Sequence, residues 1–302
     1  MTNSALDQLT IQTTADGSHT FWSATFQEAF HSSFGAKQEA EAKFIHPTHL
    51  HRQAQQKQQI SDPVRVLDIC YGLGYNSAAA IAVCDEVGAN LELIGLEWNP
   101  EVPRQVINHD LHRIWSEPVQ ACLTSLADAH HLESALNSMA MIRGKLLIGD
   151  ARQAIAEVPL GWADAIFLDP FSPPHCPQLW TVEFLTALAL RLSSEGYLAT
   201  YSCAGAVRGG LQQAGLEIGS VAPVGRKSPS TVAAWQRDSR YHGALPNLSA
   251  AESGLLRTRA AIPYRDLTGN DTPETIISRR QWEQSMSDLP SSSSCRKALG
   301  WN

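Results

Sequence analysis

The stretch VLDICYGLGYN, residues 66–76, decides the fold. It starts as an apolar run of strand length, continues into a turn that contains Gly72 and Gly74, and leads into a segment with helical composition at 75–87. The two glycines let the backbone approach a ligand closely, and the following helix directs its N-terminus at that ligand. The stretch therefore predicts a strand, a ligand-binding turn and a helix that together suit a nucleotide-type cofactor.

The glycine turn by itself leaves the cofactor open. A G-x-G turn could serve NAD, a flavin or S-adenosylmethionine. Ser77 stands where the third glycine of a dinucleotide-binding turn would fall, which disfavours a dehydrogenase. We take Gly72, Gly74 and Asn76 as candidate cofactor-binding residues.

Apolar runs of strand length alternate with helical segments from residue 64 onward, as expected for a parallel sheet covered on both faces. The pattern predicts strands at 64–70, 91–97, 145–149, 163–169, 196–203, 216–222 and 230–236. It predicts helices at 75–87, 100–115, 131–141, 151–157, 178–193 and 205–214. The last two strands have only a short link and should pair antiparallel. We expect an α/β fold with a doubly wound, seven-stranded, mostly parallel sheet and an antiparallel last strand, which is the class I (Rossmann-like) methyltransferase architecture.

Two acids follow predicted strands at the edge where such sheets bind ligands. Glu97 lies about 25 residues beyond the glycine turn, near the offset at which a carboxylate accepts both ribose hydroxyls. Asp150 could accept a hydrogen bond from an adenine amine, and Ala151 beside it would line the same pocket. An N-cap for the helix beginning at Ala151 explains Asp150 equally well, and both roles are compatible.

The run AIFLDPFSPP, residues 165–174, delivers an acid and then a rigid turn that holds an aromatic ring. Asp169 could orient the hydrogens of an amine, and Phe171 could stack on a flat base or shield a cation. Transfer to an amine requires mainly an aligned nitrogen lone pair. The alternative is a tight loop with Phe171 in the core.

From Phe167 to Lys227 the chain resembles the methyltransferase half of the bifunctional bacterial tRNA-modifying MnmC family and its stand-alone relatives. The segments that carry the resemblance are LDPFSP (168–173), PQLWT (177–181), LATYSCAG (198–205), VRGGLQQAG (207–215) and GRK (225–227). Residues 35–40, GAKQEA, resemble the opening segment that helps to close the cofactor pocket.

The resemblance implies methylation of the 5-aminomethyl group of 2-thiouridine at the tRNA wobble position, with S-adenosylmethionine as the donor and S-adenosylhomocysteine as the product. It places Gly72, Gly74, Glu97, Asp150 and Asp169 in the donor pocket, and it suggests Glu39 and His31 as lid contributors.

The sequence departs from the family in two places. The family has a glycine and a phenylalanine where Cys70 and Tyr71 stand, and a glycine at Pro170. The flavin-dependent oxidase half is not expected here, so neither FAD nor its fingerprint is expected, and a separate enzyme should supply the aminomethyl form.

The charge distribution bears on the partner. The net charge is −7, yet residues 1–200 carry 11 Lys and Arg against 22 Asp and Glu, whereas residues 201–302 carry 12 against 8. Arg208, Arg226 and Lys227 are therefore our candidates for contact with tRNA phosphates at the anticodon loop. A solvated surface would explain these cations as well. Two alternatives stay open: a methyltransferase for another small-molecule or protein amine, and a non-catalytic binding protein of the same fold.

Composition sets the remaining expectations. Six scattered cysteines without a C-x-x-C pair indicate free thiols, and no metal site is expected. Neither a signal peptide nor a membrane span is visible, which suggests a cytoplasmic protein that does not bind membranes. We divide the chain into an N-terminal lead or lid at 1–60, the methyltransferase core at 61–236 and a partly disordered C-terminal extension at 237–302.

Overall fold

The computed structural model describes residues 9–136, 138–225, 228–236, 238–239 and 243–298. The described chain opens with a small antiparallel sheet, the lid sheet, made of β1 (Leu9–Thr13), β2 (His19–Ser23) and β3 (Glu28–Ala29). Two helices follow, α1 (Ala36–Ala40) and α2 (Leu50–Gln59), with a π-helical turn at Glu41–Ile45 between them.

The central sheet supports the rest of the fold. Within the described residues its eight strands are β4 (Val64–Ile69), β5 (Leu91–Glu97), β6 (His131–Ala135), β7 (Met141–Ile148), β8 (Ala163–Leu168), β9 (Leu192–Thr200), β10 (Glu217–Val221) and β11 (Ser230–Ala234). Their order is β10-β11-β9-β8-β4-β5-β7-β6. Strand β8 is buried along its whole length, as expected for a central parallel strand with helices on both faces.

The predicted fold class is confirmed, but the sheet has eight strands within the described residues where seven were predicted. Its strand β11 runs antiparallel to both β9 and β10. The predicted helix at 100–115 ends at Asn108, and a helix at Glu117–Ala129 was not predicted. The helix predicted at 131–141 is wrong. His131–Ala135 form the edge strand β6, which pairs antiparallel with β7. Only Leu132 of β6 is buried, so its outward-facing neighbours carry little apolar signal in the sequence.

Six helices cover the sheet: α3 (Tyr75–Val87), α4 (Glu101–Asn108), α5 (Glu117–Ala129), α6 (Ala151–Ala154), α7 (Val182–Arg191) and α8 (Gly205–Gln213). Side chains of α1 to α5 share one apolar cluster with one face of the sheet, and those of α6 to α8 share a second cluster with the other face. Helix α3 carries several alanines, which allow it to lie close against β4 and β5.

The C-terminal segment packs onto the core. It contains the two-residue strands β12 (Asp238–Ser239) and β13 (Gly243–Ala244) and the helices α9 (Ala250–Leu255), α10 (Pro273–Met286) and α11 (Ser292–Ala298). A Cβ on Gly209 of α8 would lie 2.4 Å from the Ala261 carbonyl oxygen, so glycine is needed at this contact. Ile276 of α10 is fully buried in the second apolar cluster. Residues 243–298 pack against α7 and α8, and partial disorder of the extension stays a prediction.

Candidate active site

The carboxyl ends of four strands meet at one edge of the sheet. Strand β4 is parallel to both β5 and β8, and β5 is parallel to β7, so Ile69, Leu96, Ile148 and Leu168 end side by side. The residues that follow these ends are the glycine turn, Glu97, Asp150 and Asp169. The structure therefore brings the predicted donor residues together.

The glycine turn has a backbone that ordinary side chains seldom adopt. Cys70, Gly72 and Gly74 have φ angles of 65°, 55° and 79°. Gly74 is the N-cap of α3, and a Cβ there would lie 2.6 Å from the Tyr71 hydroxyl oxygen. The turn thus exposes backbone N–H groups at the start of α3, which is how helix termini bind polar ligands.

Glu97 holds this turn in place. Its Oε2 accepts from the Gly72 N–H across 2.8 Å, and its Oε1 accepts from the Asn99 N–H across 2.8 Å. Burial raises the pKa of the Glu97 carboxyl. The Trp98 backbone N–H also donates to this carboxylate, so three of its four lone pairs are used and one is left for a hydroxyl donor. Trp98, the next residue, was not predicted from the sequence. Its side chain is 68% exposed and offers a flat aromatic face beside the turn.

Asp150 serves as the N-cap of α6, since its Oδ1 accepts from the Arg152 N–H across 2.9 Å. The Arg152 guanidinium also donates to both oxygens of Asp150, at 3.2 Å from Nε to Oδ1 and 2.7 Å from Nη2 to Oδ2. The same guanidinium donates to Oδ2 of Asp266, which is 2% exposed. Ala151 is buried at the start of the helix. The predicted capping role is present, and Arg152, which the sequence analysis missed, links Asp150 to the C-terminal segment.

Asp169 and Asn76 form the polar centre of the site. The Asn76 side-chain amide donates to Oδ2 of Asp169 across 3.0 Å. Burial raises the pKa of Asp169 to about 8, and the nearby Glu39 and Asp68 act in the same direction. Oδ2 of Asp68 accepts from the Ser77 hydroxyl, and burial raises the pKa of Asp68 to about 7. Clustered acids with raised pKa values are typical of ligand and catalytic sites.

Two buried oxygens at this centre have no hydrogen-bond partner within the described part of the chain. They are Oδ1 of Asn76 and Oδ1 of Asp68. Buried polar atoms are costly when unpaired, so these two oxygens suit a ligand that carries hydrogen-bond donors. An ammonium group supplies such donors.

The lid sheet covers Phe171. The Phe26 ring stacks on the Phe171 ring with centroids 4.2 Å apart and planes 17° apart. The Phe30 ring meets Phe171 edge-on at 4.9 Å, and it also lies 3.3 Å from the position of a Cβ on Gly72. Phe171 is therefore half-buried between the core and the lid sheet. From the sequence, it was expected to be either a core residue or a residue that stacks on a base.

Glu39 belongs to an internal network beneath the lid. It lies in α1, is 5% exposed and forms a buried ion pair with Lys43. It also accepts from the Ser32 hydroxyl across 2.5 Å. Burial lowers the pKa of the neighbouring His31 to about 4. The oxygens of Glu39 are thus already bonded within the protein. Direct contact of Glu39 with a cofactor stays a prediction.

The assignment of Arg208 to phosphate contact is wrong. Its side chain is 2% exposed. The guanidinium donates from Nη1 to Oε1 of Glu252 across 2.7 Å and from Nε to the Thr231 hydroxyl across 2.9 Å. A guanidinium held inside the protein cannot reach tRNA, so Arg208 has a structural role. Arg226 and Lys227 lie outside the described residues.

A metal site needs a cluster of ligand side chains, and crossing a membrane needs a long apolar helix. Among the described residues, no group of His, Cys, Asp and Glu side chains has the arrangement of a metal site. No helix in the same residues has the length and apolar character that crossing a membrane requires.

Several known proteins and one family model are similar to this chain. A model of an S-adenosyl-L-methionine-dependent methyltransferase family matches residues 109–236. The crystal structure of MnmC2 from Aquifex aeolicus superposes with a TM-score of 0.76 at 30% identity and covers 94% of this chain and 88% of that one. An uncharacterized protein of Methanocaldococcus jannaschii is 30% identical over 272 residues, which are 89% of this chain and 70% of the relative.

A further relative is a bifunctional protein. The tRNA 5-methylaminomethyl-2-thiouridine biosynthesis protein MnmC of Ralstonia nicotianae is 28% identical over 229 residues, which are 71% of this chain. The matched region is 33% of that relative. The chain thus spans about a third of the length of this bifunctional relative.

Proposed function

Because this chain belongs to the family of S-adenosyl-L-methionine-dependent methyltransferases that includes MnmC2, we propose that it methylates the 5-aminomethyl group of (2-thio)uridine at the tRNA wobble position. The observation that carries the proposal is the Asp169–Asn76 pair at the end of β8, beside both the glycine turn and Phe171. An acid at this place can hold an amine close to a methyl donor bound over the turn. The similarity to MnmC proteins supports the choice of amine.

The donor pocket is built from the turn and the acids around it. Bound S-adenosylmethionine supplies an electrophilic methyl group on a sulfonium. Glu97 fixes Gly72 and offers its remaining lone pair to a ribose hydroxyl, and Asp150 offers its carboxylate to an adenine amine. The unpaired oxygens of Asn76 and Asp68 suit the ammonium of the methionine moiety.

Asp169 has the central role at the acceptor. As a carboxylate it accepts hydrogen bonds from the amine and turns the nitrogen lone pair towards the methyl group. Bound S-adenosylmethionine would supply the methyl group to this nitrogen, and Asp169 or water would take the extra proton from the methylated amine. Alignment of this kind contributes more to the rate than acid–base strength does. Phe171 supplies an aromatic face for the uracil ring.

The decisive experiment uses tRNA that carries the aminomethyl form. Labelled S-adenosylmethionine, the protein and this tRNA are incubated, and the nucleosides are analysed by mass spectrometry. We expect a new 5-methylaminomethyl-2-thiouridine peak whose yield falls as salt is raised, because tRNA binding depends on phosphate contacts. Cofactor binding without transfer to this tRNA would refute the wobble assignment.

The burial of Arg208 favours a second candidate, methylation of another small-molecule or protein amine. It removes one of three cations on which tRNA contact was predicted. The two candidates differ in one result, because only a tRNA methyltransferase retains tRNA at low salt.

The amine on the tRNA must be produced by a different activity, which we propose is a separate enzyme. Such a reaction would take place in the cytoplasm.

A further inference from the structure

The loop after β8 carries Asp169 and Phe171, and core residues fix its first part. The Asp169 N–H donates to the Ile69 carbonyl across 3.2 Å. The Tyr201 hydroxyl donates to the Pro170 carbonyl, and the Trp180 indole N–H donates to the Phe171 carbonyl, both across 2.9 Å. Core residues thus hold the backbone from Asp169 to the Phe171 carbonyl.

The C-terminal side of Phe171 is held from the lid sheet. Oε2 of Glu28, in β3, accepts from the Ser172 N–H across 3.1 Å and from the Ser172 hydroxyl across 2.8 Å. The same oxygen lies 3.3 Å from Nδ1 of His175. Hydrogen bonds to a carboxylate are stronger than those between neutral groups. One acidic side chain from the lid therefore fixes Ser172, the residue next to Phe171.

Glu28 lies in the segment that places two aromatic rings on Phe171. Phe26 precedes it and stacks on Phe171, and Phe30 follows it and packs edge-on. The carboxylate and the two rings reach the loop from the same side. The lid is consequently joined to the residues on which acceptor alignment depends.

We propose that Glu28 is a positioning residue for methyl transfer. It clamps Ser172 and thereby fixes the Phe171 ring and the Asp169 loop in the geometry that aligns the acceptor. The inference rests on the proposed acceptor role of Asp169 and Phe171. Displacements of about 1 Å in such a loop can cost on the order of 100-fold in rate.

Three variants test the clamp. Glu28→Ala removes the acceptor oxygen, and Glu28→Gln keeps an oxygen that can accept from Ser172 without the charge. Glu41→Ala is the matched control, because it removes a nearby exposed carboxylate that pairs with Lys37 and takes no part in the site. Hydrogen exchange of the amides that exist within 172–176, which are those of Ser172, His175 and Cys176, is measured for each variant. Thermal unfolding and kinetics with aminomethyl tRNA are measured as well.

We expect Glu28→Ala to accelerate exchange at 172–176 and to lower kcat about 10- to 100-fold. Its S-adenosylmethionine Kd should stay within about threefold of the wild-type value, since the donor residues are unchanged. Glu28→Gln should restore most of kcat and of the exchange protection, and Glu41→Ala should match the wild type.

Each of the following results would overturn the proposal. One is unchanged exchange at 172–176 in Glu28→Ala, and the other is a kcat within twofold of wild type despite faster exchange. Loss of kcat that only follows a lower melting temperature and is not restored by Glu28→Gln also counts against it. If the wild-type protein does not methylate this tRNA, the proposed function fails, while hydrogen exchange still decides whether Glu28 fixes the loop.

Discussion

The Gly72 N–H donates to Oε2 of Glu97 across 2.8 Å, which ties the end of β5 to the glycine turn after β4. One carboxylate therefore has two uses. It holds the turn in its left-handed backbone, and we propose that its remaining lone pair accepts a ribose hydroxyl. Removal of this side chain should affect the donor site first.

Glu97→Ala should raise the Kd for S-adenosylmethionine about 10- to 100-fold, because hydrogen bonds to charged groups contribute about 1.5–3 kcal/mol. Titration calorimetry measures the Kd directly. Glu101→Gln, which breaks only an exposed pair with Arg104, is the control. Equal affinities for Glu97→Ala and the wild type would remove Glu97 from the donor site.

Asp169→Asn should strongly lower the rate of methyl transfer and leave the fold intact, because its amide places N–H donors where the carboxylate accepts hydrogen bonds from the amine. In the wild type the rate should rise with pH towards about 8, as Asp169 loses its proton. Steady-state kinetics between pH 6 and 9 measure this dependence. Near-normal turnover by Asp169→Asn would place the acceptor elsewhere.

The raised pKa of Asp169 also predicts how stability depends on pH. Between the ordinary pKa of 3.8 and about 8, the folded protein keeps a proton that the unfolded chain has lost. This contribution to stability is fully present below pH 3.8 and is lost as the pH rises to about 8, by at most about 1.4 kcal/mol per pH unit. The free energy of unfolding of Asp169→Asn, relative to that of the wild type, should therefore increase from pH 5 to pH 8. Denaturant unfolding at both pH values measures it. A difference that is the same at both pH values would contradict the assignment.

Arg208→Met should destabilise the protein by about 3–5 kcal/mol, since it leaves the Glu252 carboxylate without its buried partner. Denaturant unfolding measures the loss. Arg257→Ala, at an exposed position, should change stability by less than about 0.5 kcal/mol. A stable Arg208→Met protein with weakened tRNA binding would restore Arg208 as a surface contact.

Cys70 is a non-glycine residue with a left-handed backbone, at a φ angle of 65°. Cys70→Ala keeps the strained backbone, whereas Cys70→Gly relieves it, and both remove the thiol. The glycine variant should therefore be the more stable of the two by about 1 kcal/mol. Paired thermal and denaturant unfolding curves check this order, and a more stable alanine variant would show that the turn is not strained.

The sequence indicated the fold and the donor edge because both depend on local patterns. Buried apolar runs such as 163–168 mark central parallel strands, and glycines mark the turn. Since parallel strands end at the same edge, Glu97, Asp150 and Asp169 could be placed together without coordinates. Residues 131–141 could not be assigned in this way, because β6 is an edge strand whose conformation depends on pairing with β7.

The sequence by itself determined the class of protein, the glycine turn and the acids that follow each strand, since these features lie within a few residues of one another. Only the tertiary structure decided which side chains meet. Glu28 and Ser172 are 144 residues apart, and Arg208 and Glu252 are 44 apart, yet each pair is in contact. A sequence alone does not distinguish a solvated charged residue from one that is buried beside a partner. Its role is fixed by the packing of distant segments, which places Arg208 in the interior and brings the lid onto Phe171.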